Sequence, residues 1–105
     1  MDDRKLLELA AKAAGIEVRP HPNRGVSKAL LFIGSNGNWN PLTDDGDALR
    51  LAVKLAIEIC PCPEHDSVLC EPKGSPDSII TTEALDDYGT RRAIVRAAAE
   101  IGRAM

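Results

Sequence analysis

Aromatic residues are scarce in this chain of 105 residues: Phe32, Trp39 and Tyr88 are the only three. That excludes a core of stacked rings. The apolar share of 44% is carried mainly by Ala, Leu, Ile and Val, which suits one modest aliphatic core in a single domain spanning 1–105. No apolar run approaches the roughly 20 residues that cross a bilayer. The first residues, Met-Asp-Asp-Arg-Lys-Leu-Leu-Glu, lack the basic start and apolar run of a signal peptide, so the expected location is the cytoplasm, with no membrane partner. Three cysteines, an odd count, speak against a disulfide framework and agree with a reducing compartment.

Catalytic signatures are lacking too. Gly34, Gly37 and Gly46 match neither nucleotide-binding fingerprint, and Ser35, Ser67, Ser75 and Ser78 stand in no nucleophile-elbow context. A Cys–His nucleophilic pair has no identifiable third, orienting group. No set of residues supplies a reactive group together with its activator, so the expectation is a protein that is not an enzyme.

What is present is helical periodicity. Residues 2–14 (DDRKLLELAAKAA) place Leu6, Leu9, Ala10 and Ala13 at helical spacing, with acids at the start and Gly15 as the stop. Residues 44–56 (DDGDALRLAVKLA) form a second helix, with Ala48, Leu51, Ala52 and Leu55 on one stripe. From Thr90 the chain reads TRRAIVRAAAEIGRAM, a third helix with its stripe at Ile94, Ala97, Ala98 and Ile101.

Strand signals fall between the helices. Residues 16–19 alternate as a half-buried strand would, and the run within 26–34 (VSKALLFIG) reads as a strand covered on both faces. The two are placed to form a hairpin across the Pro-rich loop PHPNRG, which sets His21 between two prolines on an exposed turn. Residues 34–40 (GSNGNWN) read as turns. Residues 57–60 read either as the end of the second helix or as a short strand; 67–71 and 78–82 are further strand candidates. The expected fold is α/β of the α+β kind: a mixed or antiparallel sheet of four to five strands packed with three helices, in the order α-β-β-α-β-β-(β)-α.

Three groups of residues carry possible chemistry. Residues 37–48 (GNWNPLTDDGDA) echo a calcium loop, since Asn36, Asn38 and Asn40 alternate ahead of Asp47. Pro41 stands where that loop needs Gly, and the early ligands would be neutral amides, so calcium is set aside. The stretch reads as a helix entrance, with Thr43 as the cap and Asp44, Asp45 and Asp47 meeting the helix dipole. Trp39 beside it is a candidate partner contact. Cys60, Cys62, His65 and Cys70 supply the ligand types of a Cys₃His zinc site, but without paired C-x₂-C knuckles; a reduced set of cysteines around a turn is the preferred reading, and no cofactor is expected.

Charge is the third group. The net charge is −3, yet residues 90–105 carry Arg91, Arg92, Arg96 and Arg103 against Glu100 alone. Arg92 and Arg96 lie four apart on one helix face, and Arg91 stands beside them. Such a cluster grips phosphate or an acidic partner, or pairs with Asp86, Asp87 or the Asp44–Asp47 cluster inside the fold. Nucleic acid is the lesser expectation, because the chain as a whole is not basic.

Residues 39–55 (WNPLTDDGDALRLAVKL) together with residues 90–101 (TRRAIVRAAAEI) resemble small accessory proteins of tailed phages and prophages, in the group described as the phage alpha-beta-alpha sandwich domain. In that group an aromatic-x-P-x-x-D stretch opens a helix, strands follow, and an A-I-x-R-A-A helix closes the chain. The resemblance implies no reaction. It implies binding of a host factor in the bacterial cytoplasm, for which Trp39, Arg91, Arg92 and Arg96 are the candidate contacts. The segment containing the cysteines matches no pattern of the group.

Overall fold

Each of the three helices begins on an aspartate. Asp2 accepts a hydrogen bond from the Lys5 N–H at 2.8 Å and opens α1 (Asp3–Ala14). Gly15, at φ 69°, closes it by donating back to the Ala11 and Lys12 carbonyls. Asp44 opens α2 (Asp45–Leu55) and Asp86 opens α3 (Asp87–Arg103), each accepting from the N–H three residues on. The computed structural model describes residues 2–20, 30–32, 38–74 and 79–105, and of residues 19, 20, 30–32 and 38 only the backbone. His21, Asn36, Ser35, Ser75 and Ser78, named above, lie outside the described residues.

The strands form two antiparallel meanders. β1 (Val18–Pro20), β2 (Leu30–Phe32) and β3 (Asn38–Trp39) pair in that order, with Val18 opposite Phe32 and Leu30 opposite Trp39. The β1–β2 pairing is the hairpin expected from the alternation on either side of the Pro-rich loop. β4 (Ile57–Cys62), β5 (Ser67–Pro72) and β6 (Thr81–Ala84) form the second meander, with a 3-10 turn at Pro63–His65 between its first two strands.

The fold is α+β with three helices, but the described strands do not make one sheet of four to five. They make two three-stranded sheets, each followed in the chain by a helix. One strand that reads locally as a turn, and one left open between helix and strand, bring the count of described strands to six. Residues 38–39 sit among turn formers yet pair with β2, and residues 57–60 belong to β4 and not to the end of α2. Ladder pairing to a neighbouring strand overrides local propensity in both places.

α3 organises the core. Its small residues Ala93, Ala97, Ala98 and Ala99 are all buried, and α1 packs against them with Leu6, Leu7, Ala10 and Ala11. At Gly102 the two backbones meet so closely that a Cβ would lie 2.0 Å from the Leu9 carbonyl oxygen. α3 also lies on the second sheet, whose inward face carries Ile57, Val68, Cys70 and Thr81. The Thr81 hydroxyl donates to the Ala93 carbonyl at 2.7 Å, which satisfies a buried polar group where strand meets helix. Trp39 is the largest of the fully buried side chains. At about 25 cal/mol per Å² over about 200 Å², its burial contributes roughly 5 kcal/mol, which a core of alanines needs.

Candidate binding pocket on the third helix

The entrance to α2 is a closed hydrogen-bonded unit. Asn40 accepts at its carbonyl from Asp44 N–H (2.9 Å) and Thr43 N–H (3.1 Å), and at its side chain from Leu42 N–H (3.1 Å). The cap is Asp44, one residue later than the Thr43 expected, because the turn on Asn40 uses Thr43 as its last member. The Thr43 hydroxyl instead faces the Asn40 carbonyl. Asp47, buried, reaches back to the Asn40 N–H at 3.0 Å and is held on its other oxygen by Arg50 at 2.7 Å. The acid cluster at this entrance is thus committed to the fold.

Trp39 lies just before this unit and is 2% exposed. Its ring belongs to the core and offers almost no surface to a partner. This corrects the reading of Trp39 as an outward contact: the indole is part of the buried core cluster that includes Leu42, Leu51 and Val68.

The arginines of α3 divide between two sides of the helix. Arg91 points toward α2, donating from Nε to the Leu42 carbonyl at 2.9 Å and from Nη1 to Asp45 at 2.6 Å. This is a pairing with the Asp44–Asp47 cluster, one of the partners the sequence offered. Arg92 and Arg96 turn the other way. Arg92 donates to Asp3 of α1 at 3.0 Å, and Arg96 to Glu83 of β6 and to the Thr82 carbonyl. Asp86 and Asp87, the other acids considered, take neither. The hydrogen bond to Asp3 raises the Arg92 pKa, with Tyr88 and Glu83 adding to it and partial burial opposing.

Arg92 and Arg96 line a pocket of about 530 Å³ with Leu6 of α1, Ile79, Ile80, Thr81, and Glu100 and Arg103 further along α3. Three arginines therefore share the pocket with the aliphatic side chains, and one acid, Glu100, lies among them and pairs with Arg103. Ile80 is 55% exposed and Tyr88, one turn before Arg92, is 54% exposed. The sequence reading missed Ile80, Tyr88 and Arg103 as site residues. Tyr88 sits in a first turn that it placed before the helix, and Ile80 lies just ahead of β6, a strand it began three residues early. The spacing of Tyr88, Arg92 and Arg96 at four-residue intervals is the signal that would have joined them.

The cysteines do not assemble with His65. Cys70 is fully buried on the inner face of the second sheet, directly opposite Ile59. Cys60 and Cys62 alternate to the outer face, opposite Leu69 and Ser67, and His65 is exposed in the 3-10 turn. Among the described residues no three His, Cys, Asp or Glu side chains come together in a group suited to hold a metal ion. The strand's two-residue period splits the Cys60, Cys62, His65 and Cys70 set that the spacing suggested. Burial pushes the Cys70 thiol up to about 11, and the Cys62 thiol is also raised, by desolvation first and then by its neighbours Cys60 and Glu64.

No helix among the described residues is long and apolar enough to cross a membrane. Compared with known protein families, with curated proteins and with solved structures, the chain matches none.

Proposed function

We propose that this chain is a non-enzymatic binding protein that takes an acidic, partly apolar segment of a partner protein into the pocket on α3. The observation that carries the reading is the convergence of Arg92, Arg96 and Arg103 on an apolar wall of Leu6, Ile79 and Ile80. Arginine and tyrosine beside exposed aliphatics are the residues that dominate binding energy at protein interfaces.

The internal ion pairs leave capacity for a ligand. Arg96 uses only Nη1, Arg103 only Nη2, and Arg92 leaves Nη2 unused, among the described residues. A partner carboxylate would meet these donors while its apolar neighbour covers Ile80. Exchanging one carboxylate for another at a half-exposed arginine is close to neutral, so the apolar contact supplies the gain.

The likeness of residues 39–55 and 90–101 to the phage alpha-beta-alpha sandwich group supports a phage or prophage accessory protein whose partner is a host factor in the bacterial cytoplasm. That support is analogy of family, not chemistry of a site. The reading is tested by capture from nuclease-treated bacterial lysate with the wild type and with Arg92→Glu plus Arg96→Glu. Loss of a specific protein partner from the variant is the expected result; identical recovery removes the pocket from the interface. Binding that survives only without nuclease, and weakens steeply with salt, would replace the protein partner with nucleic acid.

A further inference from the structure

We propose that Cys60 and Cys62 form a two-coordinate surface site for a thiophilic monovalent ion, Cu(I). The site is separate from the α3 pocket and does not depend on it. Both residues lie on β4, an edge strand of its sheet, and the period of two puts both side chains on the outer face. Cys60 is exposed and Cys62 is half-buried, and both are free thiols. The Cys62 thiol donates to the Cys60 carbonyl at 3.7 Å, which draws it back along the strand toward Cys60. Pro61 between them and Pro63 after them fix φ at two of the four positions, so the pair is held by a stiff backbone.

The donor set selects the ion. Zinc needs four ligands in a tetrahedron and the hard cations need several oxygens, and among the described residues no group of three such side chains forms around this pair. Soft thiolates favour Cu(I), a closed-shell ion that two sulfurs satisfy in a line, so two donors suffice. Cys70, on the neighbouring strand opposite Ile59, faces the core and takes no part. On binding, two S–H bonds break and two S–Cu bonds form. Two protons leave to solvent, copper stays Cu(I), and no electron is transferred.

The test is an anaerobic titration of the full chain against Cu(I) held by bicinchoninate, followed by loss of the chelator colour and by the ultraviolet thiolate-to-copper band. The expected result is transfer of one copper per chain. Cys60→Ser and Cys62→Ser should each abolish that transfer, and Cys70→Ser should keep it, with unchanged circular dichroism in all three. Phenylarsine oxide, which bridges only paired thiols, should block the site. The proposal is overturned if the wild type takes no copper from bicinchoninate, if the Cys60→Ser plus Cys62→Ser variant takes the same equivalent, or if phenylarsine oxide fails to bind.

Discussion

Arg91 of α3 and Asp45 of α2 are joined at 2.6 Å, and the same guanidinium holds the Leu42 carbonyl at 2.9 Å. The two contacts are unequal. Asp45 is largely exposed, with 79% of its side-chain surface open, while Arg91 is 17% open and the carbonyl belongs to buried Leu42. An ion pair with an exposed acid contributes under about 0.5 kcal/mol, whereas stranding a half-buried carbonyl costs about 1–2 kcal/mol. Asp45→Asn should therefore leave stability nearly unchanged and Arg91→Met should lower it by about 1–2 kcal/mol. Urea unfolding followed by Trp39 emission measures both; equal losses would mean that the ion pair, not the carbonyl, is what matters.

α2 ends on an alanine in the left-handed region, Ala56 at φ 53° and ψ 49°. α1 ends in the same conformation on Gly15. A residue with a Cβ pays about 1–2 kcal/mol to adopt it. Ala56→Gly should thus stabilise the fold by about 1 kcal/mol, or several degrees in Tm for a domain of this size. A lower Tm in thermal unfolding would show that glycine's extra freedom in the unfolded chain outweighs the relief.

The Cys70 thiol, raised from 9.0 to about 11 by burial, ties stability to alkaline pH. The unfolded chain loses this proton near 9 and the folded chain only near 11. The stabilising contribution is complete below pH 9 and declines by roughly 2–3 kcal/mol as pH rises toward 11. Cys70→Ala should flatten that decline, relative to wild type, in unfolding curves between pH 8 and 11. The same burial should leave Cys70 unreactive toward a thiol reagent in the native protein while Cys60 reacts, a difference that denaturant abolishes.

The helices were legible because their apolar stripes repeat at helical spacing. α1 and α2 start within a residue of the expected places, and Gly15 stops α1 as its type suggests. α3 begins three residues before Thr90, since Tyr88 and Gly89 lack the stripe's small aliphatics while Asp86 supplies the cap from further back. Trp39 was not legible at all: an indole near Asn, Gly and Pro is buried or exposed according to the tertiary packing around it, which local sequence does not encode. The arginine cluster was seen as one group, but a helix turns adjacent residues through about 100°, so Arg91 and Arg92 face different neighbours. The cysteine set failed for the parallel reason in a strand, where one residue's shift changes the face.

The contact of α1 with α3, sealed where Gly102 meets Leu9, joins the first helix to the last. A chain emerging from the ribosome completes α1 early and then carries Leu6, Leu7 and Ala10 without their cover until α3 has been made. Closing so long a loop is slow relative to local helix formation. Synthesis that halts before α3 would therefore release a product whose first helix stays uncovered, and the cell's holdases and proteases would meet it there.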